Sequence, residues 1–367
     1  DYCNDGTAPA EDAFVTITLD PFMDYFDSQL PPSDIDGNQY TFLVGDLDVN
    51  ECGSFWLKVS ISCDAVLGQA HCVEAEIFPQ SDCVPFDPNW SGASLALGSE
   101  CEDDIVTLFI ENRGFGNMNE PAHYIVIEDG VMLNHQPGNV QLNIGETFPI
   151  ILSPNGSTYR LEVDQAPFHP GQSMPALSIE GCGANEQGGF STGFVTQFPF
   201  DDADPWLDVD CQQNIGAYDP NDKRAYPEGF GDERFIYANT DLEYYIRFQN
   251  TGTDTAFNVV IRDTLSEFLD IASVNPGASS HDYEWTLEKR NVLVFTFENI
   301  MLPDSNVNLE GSQGFVKFRI RQRPDLPVGT QIDNSAAIYF DFNEPIITNT
   351  VQHTIGEDFL LSAVDTP

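Results

Sequence analysis

Three of the chain's six Asn-x-Gly tripeptides, those at Asn4, Asn112 and Asn250, read as the end of a strand, or of the stub of one, and this recurrence constrains the fold more than any other feature. Residues 244–252 are Tyr-Tyr-Ile-Arg-Phe-Gln-Asn-Thr-Gly, and residues 105–114 are Ile-Val-Thr-Leu-Phe-Ile-Glu-Asn-Arg-Gly. The third copy, Asn4-Asp5-Gly6, follows only three residues. Alternating runs punctuated by Asn and Gly imply antiparallel pairing, and their repetition implies a row of like modules. The expectation is an all-β chain of tandem immunoglobulin-like antiparallel β-sandwich modules, the first lacking the strand ahead of its Asn-x-Gly.

The last module, 219–356, shows the pattern most clearly. Leu242–Phe248, Phe257–Arg262, Val292–Phe297, Phe315–Ile320, Ala336–Phe340 and Ile346–Val351 alternate in polarity between Gly, Pro, Asn and Asp clusters, as short sandwich strands do. The first module, 1–85, repeats this plan in shortened form. Asn4-Asp5-Gly6-Thr7 matches Asn250–Thr253, Phe14–Asp20 matches Phe257–Asp263, and Gly53–Val59 matches Gly311–Phe318. Val66–Gln69 and Ala75–Phe78 answer Val328–Gln331 and Ala337–Phe340. The middle module, 90–198, has its own strands, with hairpin signals at Glu128-Asp129-Gly130 and Pro154-Asn155-Gly156. Residues 199–218 read as an acidic linker, and 357–367 as an apolar tail.

Charge narrows the partners. Lys and Arg number 14 against 59 Asp and Glu, a formal net charge of −45. Such a surface repels phosphates and anionic lipid heads, so no nucleic acid partner is expected. No run approaches the roughly 18 apolar residues of a membrane helix, so no membrane insertion is expected either. The eight cysteines fall at 3, 52, 63, 72, 83, 101, 182 and 211, with no CxxC pair. Disulfides formed in an oxidising compartment account for them better than zinc or thiol chemistry. Cys63 and Cys72 flank a hairpin loop and are expected to pair, as are Cys101 and Cys182 at the ends of the middle module. The remaining four allow several pairings, although Cys52 with Cys63 is excluded by the straight strand Phe55–Ser62 between them. The chain opens on Asp1, as a processed form or a piece of a longer protein would.

The stretch 216–223 (Gly-Ala-Tyr-Asp-Pro-Asn-Asp-Lys), then IRFQNTGTDTAFNVVIRDTLSEFLD, then NSAAIYFDFNEPIITNT, resembles a module of secreted Bacteroidota proteins. That module sits just ahead of the sorting domain read by the type IX secretion system. The pattern GQ-x-HC-x-EA-x-I at Gly68–Ile77 resembles companion regions of large surface proteins of the same group. The resemblance implies secretion to the cell surface and a β-sandwich; the family carries no settled activity.

The chain has no HExxH, GxSxG, P-loop or strand-to-helix GxGxxG, and its six His are scattered. It is not expected to be an enzyme. Calcium, which takes six to eight oxygens from a flexible loop, is the better chemical expectation. Asp201, Asp202, Asp204, Asp208 and Asp210 crowd the linker, and Asp219, Asn221 and Asp222 follow; the competing reading is a solvated acidic linker beside an Asx-capped turn. Asn89 and Asn155 head N-x-Ser sequons, and Thr255 and Thr264 sit in Asp-Thr-Ala and Asp-Thr-Leu, which resemble the short O-glycosylation motif of Bacteroidota. Trp90, Trp206 and Trp285 are candidates to stack on sugars, with Trp285 expected in the core.

A sandwich short of one strand exposes a sheet edge, which either the chain's own upstream residues or a neighbour's strand would fill. The apolar tail residues Phe359, Leu360, Leu361 and Val364 are candidate donors. The expected function is an extracellular structural protein, a filament subunit whose partners are copies of itself or other surface proteins. The alternative is a set of ligand- or glycan-binding adhesin modules on a larger secreted protein.

Overall fold

The computed structural model describes residues 1–80, 87–102, 105–133, 138–170, 174–199, 206–214 and 220–362. Among them the structure is almost entirely strand, with one 3-10 turn at Val195–Gln197. Among the described residues no helix is long and apolar enough to cross a membrane. The chain divides into two compact units: residues 1–196, 200–215 and 360–367 in one, and 197–199 and 216–359 in the other.

The first unit begins with β1 (Tyr2–Cys3), β2 (Ala10–Leu19), β3 (Met23–Ser28), β4 (Asp34–Asp36), β5 (Gln39–Leu47), β6 (Cys52–Gly53), β7 (Leu57–Ile61) and β8 (Ala70–Phe78). It continues with β9 (Leu95–Glu102), β10 (Ile105–Asn112), β11 (Ala122–Glu128), β12 (Val131–Met132), β13 (Gly138–Val140), β14 (Thr147–Leu152), β15 (Tyr159–Val163) and β16 (Ala176–Ile179). β17 (Leu207–Gln213) then returns to the first sheet, whose order is β17-β8-β2-β5-β4. β2 alternates strictly over its inner half, so Val15, Ile17 and Leu19 point inward onto Phe42. A second core gathers Val106, Leu108 and Ile110 of β10 with Val126 and Leu161. It lies between the sheets β14-β10-β9 and β16-β15-β11-β12.

β17 corrects the expected layout. Residues 207–213 are not linker: they pair with β8 along its length, with Cys211 opposite Cys72. The middle sandwich is therefore inserted between two strands of the first. This register also fixes the disulfides among the described residues; Cys83 lies outside them. Cys72 bonds Cys211 with Cα atoms 4.0 Å apart, Cys3 bonds Cys52 between β1 and β6, and Cys101 bonds Cys182 as expected. The expected Cys63–Cys72 pair does not form; Cys63 is exposed with a free thiol. A partner directly across a ladder outcompetes one across a loop, because the ladder already holds its Cβ within reach.

The second unit comprises β18 (Lys223–Tyr226), β19 (Phe235–Ile236), β20 (Leu242–Gln249), β21 (Val259–Thr264), β22 (Leu269–Ser279), β23 (Glu284–Glu288) and β24 (Val292–Phe297). β25 (Gln313–Gln322), β26 (Gln331–Asn334), β27 (Ala336–Phe340), β28 (Ile346–Ile347) and β29 (Val351–Ile355) complete it. One sheet runs β18-β20-β25-β22 and the facing one β23-β24-β21-β27-β28, with β19-β29-β26 beside them. Tyr244, Ile246, Phe248, Ile261, Phe295, Phe297, Phe318 and Ile338 fill the space between, none with measurable exposure.

The Asn-x-Gly sites at Asn4, Asn112 and Asn250 are one hydrogen-bonding device. Asn4 Nδ2 donates to Ala8 O (2.9 Å) and Leu47 O (3.0 Å), while its Oδ1 accepts from Gly6 N (3.0 Å). Asn112 does the same with Gly116 O, Leu142 O and Gly114 N, and Asn250 with Asp254 O, Leu302 O and Gly252 N. Each Asn side chain thus closes its own turn and ties it to a Leu carbonyl on a distant segment. These anchors set the true register of the repeat. Counting back five residues from Leu47 and Leu302 gives Phe42 and Phe297, which pair with Val15 and Val259. The sequence match of Phe14 to Phe257 is therefore out of phase with burial. Likewise Gly53 corresponds to Gly314 rather than Gly311, since Tyr2 lies opposite Gly53 as Phe248 lies opposite Gly314. A Cβ at either glycine would meet that side chain within 2.4 Å.

Candidate functional site

The acidic residues expected to hold calcium are placed unevenly. Asp201, Asp202, Asp204 and Asp219 lie outside the described residues. Asp208 and Asp210 stand on β17, and Asp210 accepts from Gln212 Nε2 at 2.7 Å. Asp222 is buried and pinned by Arg247 through Nε (2.6 Å) and Nη2 (2.7 Å), with Arg224 Nε at 3.2 Å. Asn221 accepts from Gln249 N at 3.2 Å. Two guanidiniums satisfy Asp222 as a bidentate salt link does, so Asp222 and Asn221 leave the expected cation set and become framework residues. Among the described residues no three His, Cys, Asp or Glu side chains converge to hold an ion.

The tail is also relocated. Phe359 packs against Phe230, Phe235 and Tyr237, with ring centroids 5.9, 5.6 and 4.6 Å away. β30 (Leu361–Ser362) then pairs in parallel with β12 of the first unit. These aromatic and backbone partners come from the same chain, so Phe359, Leu360 and Leu361 are not a free donor strand; Val364 is outside the described residues. Asn89, Asn155 and Thr264 are exposed and Thr255 half-buried. Trp90 is wedged edge-on against Phe115 and His169, Trp206 is half-buried, and Trp285 is exposed on β23 instead of in the core. β23 is the edge strand of its sheet, and Glu284 to Leu287 are exposed on both of its faces.

The most reactive constellation is one that motif reading missed. Lys223 begins β18, Asp263 stands at the inward position after Val259 and Ile261 on β21, and Asn334 follows inward Ile332 on β26. The Lys223 and Asp263 side chains have no solvent exposure, and the Lys223 ammonium nitrogen touches Asp263 Oδ2. The same nitrogen lies 4.3 Å from the centre of the Tyr244 ring and 5.4 Å from that of Phe318. Burial favours the uncharged form of both groups. It drives the Lys223 amine below its ordinary value and the Asp263 carboxyl above its own, while attraction between them opposes each shift.

Asn334 completes the group. It is 2% exposed and lies against Asp263 and Tyr244, where its proximity only partly offsets the rise that burial imposes on both groups. Yet neither its Oδ1 nor its Nδ2 closes a hydrogen bond of ordinary geometry, and Asp263 Oδ1 and the Tyr244 hydroxyl are likewise unpaired. The signal available in the sequence was phase. Asp263 and Asn334 are polar residues at inward positions of otherwise apolar alternating strands, which sheet periodicity marks as exceptional.

Residues 219–354, which include all three, match a family model described as a domain of unknown function, DUF7619. No curated protein matches the sequence. Among solved structures, the collagen-binding domain of a Staphylococcus aureus adhesin aligns at 11% identity over 39% of this chain and 100% of that one, TM-score 0.25. The major pilin subunit BcpA of Bacillus cereus aligns at 16% identity over 64% of each chain, TM-score 0.27. The Corynebacterium diphtheriae major pilin SpaA, whose structure is described as a modular pilus assembly with stabilizing isopeptide bonds, aligns at 10% identity over 63% of each, TM-score 0.26. Scores of this size assign no function.

Proposed function

We propose that this protein is an extracellular structural subunit of a cell-surface filament or fibre, assembled by strand addition between β-sandwiches. The observation that carries the reading is the open edge of β7. In the last sandwich the counterpart of β6 and β7 is β25, flanked by β22 on one side and β20 on the other. In the first, β1 supplies only Tyr2–Cys3 on the β20 side, and β7 pairs with β3 alone among the described residues. An edge of this kind accepts a strand either from residues upstream in a longer chain or from another chain, and a filament subunit takes the second. The secretion route implied by the sequence resemblance, type IX export in Bacteroidota, delivers such a subunit to the surface.

Proline tests it. Backbone N–H groups of adjacent strand residues point to opposite sides, so of Lys58→Pro and Val59→Pro one removes an outward donor and spares the β3 ladder. Negative-stain microscopy of the folded variant is expected to show loss of filaments that the wild-type chain forms. Filaments that persist in both folded variants would defeat strand addition at β7.

A second reading, adhesion, is favoured by one surface. Phe257, Met301 and Phe342 are exposed on three neighbouring loops at one end of the last sandwich. Asp341 holds them together by accepting from Phe257 N (3.0 Å) and Asn258 N (2.8 Å), and Asn258 Oδ1 by accepting from Asn299 N (3.1 Å). Apolar side chains held on a rigid loop platform are what a ligand-binding tip presents. A glycan array or surface-binding assay in which Phe342→Ser abolishes binding, with filaments intact, would select this reading instead.

A further inference from the structure

A buried Lys–Asp contact is poorly explained by stability, because desolvating both charges costs about as much as their attraction returns. An adjacent buried carboxamide with both polar atoms unpaired adds a further unexplained cost. The second unit nevertheless places Lys223 and Asn334 each against Asp263 and Tyr244, with Lys223 also over Phe318, sealed from solvent. We propose that this is a self-modifying site, in which Lys223 Nζ condenses with the side-chain carboxamide of Asn334 to form an intramolecular isopeptide bond, assisted by Asp263.

Each requirement of that reaction is met by a group on the page. The nucleophile is a neutral amine, the form that burial favours for Lys223. The acid that polarises the carbonyl is a protonated carboxyl, the form that burial favours for Asp263. The electrophile is the Asn334 carboxamide carbon, whose oxygen and nitrogen are not committed elsewhere. The lone pair of Nζ attacks that carbon while Asp263 donates its proton toward the developing oxyanion. Asp263 then takes a proton from the former amine and passes it to Nδ2. The Cγ–Nδ2 bond then breaks and ammonia leaves, while the oxygen re-forms its double bond to Cγ and returns its proton to Asp263, so that the Cγ–Nζ bond remains. No oxidant, reductant or metal enters the balance, and Asp263 ends as it began. Exclusion of water protects the intermediate from hydrolysis.

The bond would join β18, at the start of the second unit, to β26 near its end, in addition to the hydrogen-bonded ladders. The inference does not depend on filament formation, since its product is confined to one chain.

Intact mass spectrometry of the full chain with its disulfides reduced decides the matter. The wild-type protein is expected to weigh one ammonia less than its sequence, and a protease digest to yield a joined pair of peptides containing Lys223 and Asn334. Lys223→Met, Asn334→Ala and Asp263→Ala are each expected to weigh their full sequence mass. The wild-type measurement stands even where a variant fails to fold. A wild-type chain at full sequence mass overturns the proposal. So does loss of one water, which would place the bond on a carboxylate, or loss of ammonia with the two peptides unjoined.

Discussion

Leu19 of the first sandwich occupies the position that Asp263 occupies in the last. Leu19 lies opposite Val73 and Asp263 opposite Ala336, each at the next inward position after an Ile that faces the core. Both are fully buried, at 1% and 0% exposure. One repeat thus solves the position with a hydrocarbon and the other with a carboxyl group that needs Lys223 beside it. The polar solution is therefore not required by the fold.

That comparison yields a double-mutant prediction. Lys223→Met alone leaves Asp263 buried without its partner, and Asp263→Leu alone strands the amine; each is expected to cost about 3–5 kcal/mol in urea unfolding. The double variant, which copies the first sandwich's chemistry, is expected to recover about 2 kcal/mol or more relative to either single variant. Strict additivity of the two losses would show that the groups do not act as a pair.

The Asn-x-Gly device predicts a cost at each copy according to burial. Asn112 and Asn250 are 0% and 6% exposed, and truncation leaves two carbonyls and one N–H unsatisfied at each. Asn112→Ala and Asn250→Ala are expected to destabilise by about 3 kcal/mol, and the more exposed Asn4→Ala by about 1 kcal/mol. Equal losses at Asn4 and Asn112 in denaturant titrations would contradict the burial argument.

How much of this was legible beforehand follows from what each signal encodes. Alternation and turn residues are local, so the sandwiches, the repeat and the Cys101–Cys182 clamp were readable. Register is not local. Phe14 and Phe257 look alike, but only the carbonyls of Leu47 and Leu302, reached by Asn4 and Asn250, reveal that Val15 corresponds to Val259. β17 was hidden because Asp208 and Asp210 read as solvated charge, whereas they are the outward residues of an edge strand whose inward Cys211 is 2% exposed. Lys223 was overlooked as well. No local signal marks it as buried; only the convergence of three strands does.

The disulfide through β17 predicts an asymmetry between two cysteines. Cys211→Ser opens a loop closed across a sequence separation of 139 and releases the edge strand that covers β8. The expected loss is about 2–5 kcal/mol. Cys63→Ser, at an exposed free thiol, is expected to change stability by less than about 0.5 kcal/mol. A non-reducing peptide map that joined Cys63 to Cys72 would reverse both expectations.

The two units should respond to pH in opposite senses through one group each. Glu180, in the first unit, accepts from Ala70 N at 3.1 Å, and burial pushes its pKa from 4.5 to about 7. Its folded form holds a proton that the unfolded chain has lost, so it contributes destabilisation that grows as pH rises from about 4.5 to 7. His353, in the second unit, is buried with Nε2 on Pro227 O at 2.9 Å, and burial lowers its pKa from 6.5 to about 4. Here the unfolded chain binds the extra proton, so stability is lost as pH falls from about 6.5 toward 4. Calorimetry of wild type against Glu180→Gln and His353→Gln separates these effects from the general relief of charge repulsion in acid. Glu180→Gln is expected to gain Tm relative to wild type as pH is raised from 5 to about 7.5, and His353→Gln to gain relative to wild type as pH is lowered from 7 to about 4.5. Differences that stay flat across those windows would show that neither group titrates with the shift its burial requires.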